Sequence, residues 1–243
     1  MNISLGFTTW NSSEWIKKQI LNNDYFALSD GLIDEIVIQD DFSADYKNLK
    51  PLETDIIKVF QSEKHLSPLL NRKNLVSNCK NDWVLVMDCD NFLVKTSSNG
   101  YNCFDIIKNL DLKATNTIFC PGFINHWGYN QLCNKKIDLK FVQTHFDSKD
   151  FYLPIFLNTG NYLVPKQQYL DICNLIDPVF LYATVDVIYF NFLWLKQNNI
   201  LHCIENYEYE HTFRKDSYTN THSNTSQEKL LKVYSMYKQN ENF

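Results

Sequence analysis

Asp88 and Asp90, one residue apart with Cys89 between them, close a short apolar run, Trp83-Val84-Leu85-Val86-Met87, and Asn91 follows at once. A run so short and β-branched reads as a buried strand, and its end delivers both acids to the rim of a sheet. Open α/β sheets bind ligands just beyond the carboxyl ends of their strands. Two hard oxygen donors there suit a divalent cation that bridges phosphate oxygens. The bland alternative is a helix N-cap beside a solvated turn acid, because clustered carboxylates are only probabilistic markers of a site. A second acidic pair, Asp40-Asp41, also ends an apolar strand, and a parallel sheet would set both turns on one rim. Taken alone, Asp-Asp-x-Ser is ordinary turn composition.

The elements that must position these acids follow from periodicity. Ile3 to Thr8 reads as a first strand, and Asn11 with Glu14 three residues on predicts a capped helix through Leu28. Strands are expected at residues 35–38, 56–60 and 83–87, with Ser67-Pro68 opening a helix to about Cys79. This β-α-β-β-α-β order favours a parallel sheet covered by helices. A helix near 101–110 and a strand at 117–120 continue it, whereas 121–158 is aromatic and weakly periodic. Beyond lie a strand at 160–164, a helix from Pro165 to Ile176, a strongly apolar helix over 183–196 and a strand over 200–209. Thr225-Ser226-Gln227-Glu228 then forms a capping box before a C-terminal amphipathic helix. No internal repeat, low-complexity segment or linker divides the chain.

Composition narrows the function classes. With 243 residues, 44% hydrophobic and 15% aromatic, the chain can bury a substantial core and is not a disordered segment. A net charge of -5 argues against a nucleic-acid binder. No stretch approaches the roughly 18 apolar residues of a membrane span, and no charged-then-apolar leader precedes the first strand, so a soluble, cytoplasmic protein is expected. Seven scattered cysteines without a Cys-x-x-Cys pair point to reduced thiols and away from a zinc cage.

Four segments, Ile3 to Asn11, Glu35 to Asp45, Asn71-Arg72-Lys73-Asn74 and Trp83 to Asp90, stand in an order and spacing that resembles the nucleotide-sugar-binding half of the GT-A fold glycosyltransferases, family-2 type. The likeness covers the first ninety or so residues well and the rest loosely. It implies a single α/β, Rossmann-like GT-A domain whose mostly parallel central sheet is flanked by helices. Residues 1–95 would bind the nucleotide sugar, 96–215 the acceptor, and 216–243 would form a closing loop and helix.

By that resemblance Thr8, Trp10 and Asn11 sit beside the nucleotide base, Asp41 accepts a hydrogen bond from it, and Arg72 helps to hold base or diphosphate. Asp88 would face the ribose or a metal-bound water, and Asp90 would ligate Mn²⁺ or Mg²⁺. Asp186, at the head of an apolar helix, would be the catalytic base, and His211 would reach back to the metal. The donor would be a UDP-, GDP- or dTDP-sugar, the acceptor a glycan or other hydroxyl, and the outcome inversion. His222 falls in a polar segment of the kind that closes over donors. The stretches Gly122 to Gly128 and Asn158 to Asn161 could wall the acceptor, although core packing explains Phe123 and Trp127 as cheaply. Each residue has a structural alternative: Trp10 in the core, Arg72 on the surface, Asp186 as a helix cap, His211 as a hydrogen-bonded structural group.

The chain departs from the pattern at Gln39 and Phe42, which replace an apolar residue and a glycine around the acidic turn, and at Val185, which stands before Asp186 where the pattern has Glu. Phe42 implies that this turn does not use a glycine conformation. Two other readings compete. A strand followed by Asp-x-Asp also opens the site of haloacid-dehalogenase-like phosphatases, usually near the N-terminus and followed by Thr, whereas Asn91-Phe92 follows here. The other is a nucleotide-sugar-binding domain without turnover, since fold alone does not establish activity. Nucleotidyltransferases open on a Gly-rich phosphate loop, and residues 3–11 hold only Gly6.

Overall fold

The apolar runs of the N-terminal half become four parallel strands: β1 (Ile3–Thr9), β2 (Ile33–Asp40), β3 (Ile57–Gln61) and β4 (Trp83–Asp88). Every residue of β1 is buried, as a strand covered on both faces requires. The computed structural model describes residues 2–93, 96–97, 99–124, 127–128, 131–151, 153–212 and 227–239. Register decides what the rim holds. Thr8 lies opposite Asp88 on one side and Gln39 on the other, and Thr9 lies opposite Asp40. Three chain segments far apart in sequence therefore end at the same level.

The second half adds β5 (Asn91–Leu93), β6 (Thr117–Ile124), β7 (Trp127–Gly128), β8 (Lys136–Ile137), β9 (Leu163–Pro165) and β10 (Ile200–His211). Among the described residues the sheet runs β3-β2-β1-β4-β9-β6-β10-β5, with β7 beside β6 and β8 beside β10. The longest ladders are parallel, so the sheet is mostly parallel as expected. The segment expected as a strand over 160–164 is the short β9, which runs antiparallel between β4 and β6. β10 pairs with β6 on both sides of a register shift between Ile204 and Glu208, where Asn206 is left-handed. Its far end then pairs with β5, setting His211 opposite Asn91.

Helices cover the sheet: α1 (Ser13–Asn22), α2 (Tyr25–Leu28), α3 (Pro68–Asn78), α4 (Cys103–Lys108), α5 (Leu139–His145), α6 (Leu153–Phe156), α7 (Lys166–Cys173), α8 (Val185–Lys196) and α9 (Gln227–Lys238). α3 starts as predicted, with Ser67 Oγ accepting from Leu70 N at 3.3 Å and Pro68 in the first turn. The capping box expected at Asn11 does not form. Asn11 is left-handed (φ 47°), Ser12 occupies the cap, and the helix breaks at Asn23 before α2. The stretch without readable periodicity, 121–158, contains the end of β6, β8, α5 and α6, elements too short to show a repeat. α8 is buried along nearly its whole length, and the fully buried Tyr237 of α9 donates to Ile188 O at 2.9 Å, docking the C-terminal helix on it. Thr225 and Ser226 of the expected capping box, together with Phe213, Arg214 and His222, lie outside the described residues. Among the described residues no helix is long and apolar enough to cross a membrane.

Candidate active site

One cavity of about 510 Å³ opens at the carboxyl ends of β1 and β4, lined by Thr8, Trp10, Asp41, Arg72, Asp88, Asp90, Asp186 and His211. That volume is in the range of small-ligand sites. Asn11, expected beside the base, is not on the cavity wall. Its side chain is taken up by a tie between two rim loops: Oδ1 accepts from Ala44 N at 3.0 Å, and its backbone N donates to Ser43 Oγ at 2.7 Å.

Asp88 is held from four directions. Thr8 Oγ1 donates to Oδ1 at 3.1 Å, Arg72 Nη2 donates to both oxygens at 2.8 and 3.0 Å, and Asn91 Nδ2 reaches Oδ2 at 3.5 Å. Its backbone N donates to Asn161 Oδ1 at 2.9 Å. Burial works against the charge of Arg72, but the Asp88 and Asp186 carboxylates outweigh it and raise its pKa. Two of its donors, Nε and Nη1, are buried without a hydrogen-bond partner. Leaving such buried donors unpaired costs about 1–3 kcal/mol each, and the charged residue that carries them lines the cavity. Gly160 is required beside it, since a Cβ there would lie 2.9 Å from Arg72 Cζ.

Asp41 sits at the other side of the opening, nearly buried. Its Oδ1 accepts from Leu66 N at 2.7 Å, and Oδ2 lies 2.8 Å from His65 Nδ1. Burial raises its pKa to about 6 against the opposing pull of Leu66 N and His65. The His65 ring stacks on Trp10, centroids 4.9 Å apart at 28°. Trp10 is therefore on the cavity wall and not in the core. Phe42, next to Asp41, corrects the expectation from sequence: it takes the glycine-type conformation (φ 58°) with its ring exposed, held there by Asp40 Oδ2, which accepts from Ser43 N at 2.8 Å.

Asp186 enters from α8, directly after left-handed Thr184 (φ 73°). It is fully buried: Oδ2 accepts from Leu69 N at 2.9 Å, tying the first turn of α3 to that of α8, and Oδ1 accepts from Val187 N at 2.8 Å. Burial lifts its pKa to about 6, opposed chiefly by Arg72. Arg72 thus lies between two carboxylates from opposite halves of the chain.

No protein-family model matches the sequence, and no curated protein does. Solved structures do match. The crystal structure of S. aureus TarS 1-349 in complex with UDP-GlcNAc has a TM-score of 0.67 at 16% identity, over 100% of this chain and 68% of that one. TarS 1-349 in complex with UDP gives 0.61 at 14% identity over 100% and 67%, and a further structure of TarS 1-349 gives 0.62 at 17% over 100% and 67%. The fold is GT-A-like.

Within that GT-A-like fold the expected metal ligands are not assembled as a cage. Among the described residues no three His, Cys, Asp or Glu side chains come together so as to hold a metal ion, so Asp88, Asp90 and His211 do not form a protein-only site. Asp88 is engaged by Arg72 instead. The donor set still suits a cation completed by phosphate oxygens, because Mg²⁺ is commonly bound through one or two carboxylates plus substrate phosphates. His211 Nδ1 donates to Asn91 Oδ1 at 2.8 Å, the kind of bond that fixes the ring of a metal-binding histidine.

Sequence reasoning overlooked His65, Asn91 and the role of Asn161. His65 belongs to a loop with no motif of its own, and only the fold brings it to Asp41. Asn158 to Asn161 does line the cavity, as expected of an acceptor wall, but Asn161 and Gly160 serve Asp88 and Arg72. Thr159 Oγ1 pairs with Tyr209 OH at 3.2 Å. The side chains of residues 125–128, the rest of the other expected wall, lie outside the described residues.

Proposed function

We propose that this protein is a glycosyltransferase that moves a sugar from a nucleoside-diphosphate sugar to an acceptor hydroxyl. The observation that carries the reading is the convergence of Asp41, Asp88, Asp90, Arg72 and Asp186 on one cavity at the strand ends of a GT-A-like fold. Trp10 and Asp41 would take the base, Thr8 and Asp88 the ribose side, and the positive charge of Arg72 the diphosphate. UDP is the first base to try, since UDP and UDP-GlcNAc are the ligands of the TarS structures matched. A Mn²⁺ or Mg²⁺ held by Asp90, with Asp88 and His211, would supply charge neutralisation to the departing diphosphate. Asp186 would take the proton of the acceptor hydroxyl as that oxygen forms its bond to the anomeric carbon and the bond to the diphosphate breaks, giving inversion. A pKa near 6 suits it, because the base is ionised at neutral pH without being inert. The phosphatase reading fits less well: both oxygens of Asp88 face Arg72, which blunts a carboxylate nucleophile.

The test is release of free nucleoside diphosphate from UDP-, GDP- and dTDP-sugars with and without Mn²⁺, beside a thermal-shift series on the same compounds. Asp90→Ala is expected to abolish release with an unchanged melting curve. Near-normal turnover in that variant would sink the assignment, and hydrolysis of a generic phosphate ester would favour the phosphatase.

A further inference from the structure

Two thiols away from the cavity sit against each other. Cys133 belongs to a turn closed by Lys135 N donating to Leu132 O at 2.9 Å, with Asn134 left-handed, and Cys203 lies within β10. The turn is pinned to the strand by Asn134 N donating to Cys203 O at 2.8 Å and Cys203 N donating to Lys135 O at 3.3 Å. The two backbone bonds set the Cys133 turn directly alongside Cys203. Each sulfur also faces a β6 carbonyl, Cys203 Sγ at 3.6 Å from Pro121 O and Cys133 Sγ at 3.8 Å from Gly122 O. Gly122 makes this approach possible, since a Cβ there would meet Cys133 Sγ at 3.0 Å.

We propose that Cys133 and Cys203 form a reversible dithiol–disulfide site. The pair is built asymmetrically, as such sites need: Cys133 is half-exposed and Cys203 fully buried. Exposure marks Cys133 as the attacking sulfur, and the neighbouring Cys203 side chain holds the Cys133 thiol below its ordinary range while that of Cys203 is pushed up. Glu205 and Glu208 oppose its ionisation without reversing the direction. The other five cysteines are buried, and burial raises the thiols of Cys79, Cys103, Cys120 and Cys173.

The co-reactant is a low-molecular-weight disulfide of the glutathione class. Cys133 thiolate attacks one of its sulfurs, forming a mixed disulfide and expelling one small thiol. Cys203 then gives up its proton and attacks Cys133 Sγ, the mixed bond breaks, and the second small thiol leaves. Two protein thiols become one intrachain disulfide, and two electrons pass to the small disulfide. The sulfurs must close to about 2.05 Å, a movement a surface turn can supply. The bond would staple the turn to the root of β10, just before the register shift that leads to Tyr209 and His211.

The experiment equilibrates the full chain with oxidised and reduced glutathione, then measures intact mass, free thiols and peptide linkage. Expected are a mass lower by two hydrogens, free thiols falling from seven to five, one 133–203 link, reversal by dithiothreitol and a raised melting temperature. Cys133→Ser should keep all remaining thiols reduced. Cys203→Ala should stop at a glutathione adduct on Cys133; if that variant does not fold, Cys133→Ser carries the test. An unchanged thiol count, a glutathione adduct on Cys133 that never resolves in the wild type, or a link from Cys203 to its strand neighbour Cys120 would overturn the proposal.

Discussion

Arg72 grips Asp88 through a single nitrogen, Nη2, which lies 2.8 Å from Oδ1 and 3.0 Å from Oδ2. The arrangement leaves Nε and Nη1 buried without partners, and it places a permanent cation between the rim of β4 and the head of α8. Asp88, at the end of one strand, is thereby tied to an acid more than ninety residues away.

Arg72→Ala should destabilise the protein by about 3 kcal/mol, because removing one partner of a buried ion pair strands the other charges in a desolvated place. Urea unfolding measures this. Arg72→Lys keeps the charge but loses the fork, so it should recover part of the stability and little of the affinity for nucleoside diphosphate. Equal diphosphate binding by all three proteins would remove Arg72 from the donor site.

In the proposed site Asp41 would accept a hydrogen bond from a base N–H, most strongly as a carboxylate. Its pKa is raised to about 6, so donor affinity should fall as pH drops through about 6 and level off above it. His65 and Leu66 N favour the ionised form, whereas burial and Asp40 oppose it. His65→Ala should therefore move the midpoint upward and weaken UDP binding about tenfold at neutral pH, the scale of one charge-assisted hydrogen bond. Calorimetric titration with UDP across this range checks both, and a flat profile would count against Asp41.

For Asp186 the expected signature is in kcat. At saturating donor the rate should rise as pH passes about 6, and Asp186→Asn should lose that limb along with about 10²–10⁴ of the rate while UDP binding persists. Burial raises the folded pKa, so this group's contribution to stability is present at acid pH and is lost as pH rises from the ordinary carboxylate range through about 6. A variant whose activity disappears together with its melting transition would leave Asp186 only the tie to Leu69 N.

Phe42→Gly should raise stability by about 1 kcal/mol, since a side chain at φ 58° is strained and this ring is largely exposed. Chemical denaturation tests this. A loss of stability would mean that the ring packs usefully after all.

The strands that carry the acids were legible because each is a short apolar run ending in charge, and a strand buried on both faces has no other way to read. Ser67-Pro68 was legible because a cap and a first-turn proline act locally. The capping box at Asn11 misled for the complementary reason. Its side chain found a better partner in Ala44 N, thirty-three residues away, and a local pattern does not register such a competitor. Phe42 misled in the same manner, since the bonds around Asp40 impose a conformation its own preference opposes.

Residue types and their periodicity determined which segments are strands, where they end, and that acids stand at those ends. Tertiary structure alone decided the partners: Thr8 level with Asp88, His65 on Asp41, Arg72 between Asp88 and Asp186, His211 on Asn91. The physical reason is that burial and periodicity are properties of a segment and its neighbours in the chain, whereas register and charge pairing depend on which segments the sheet brings side by side.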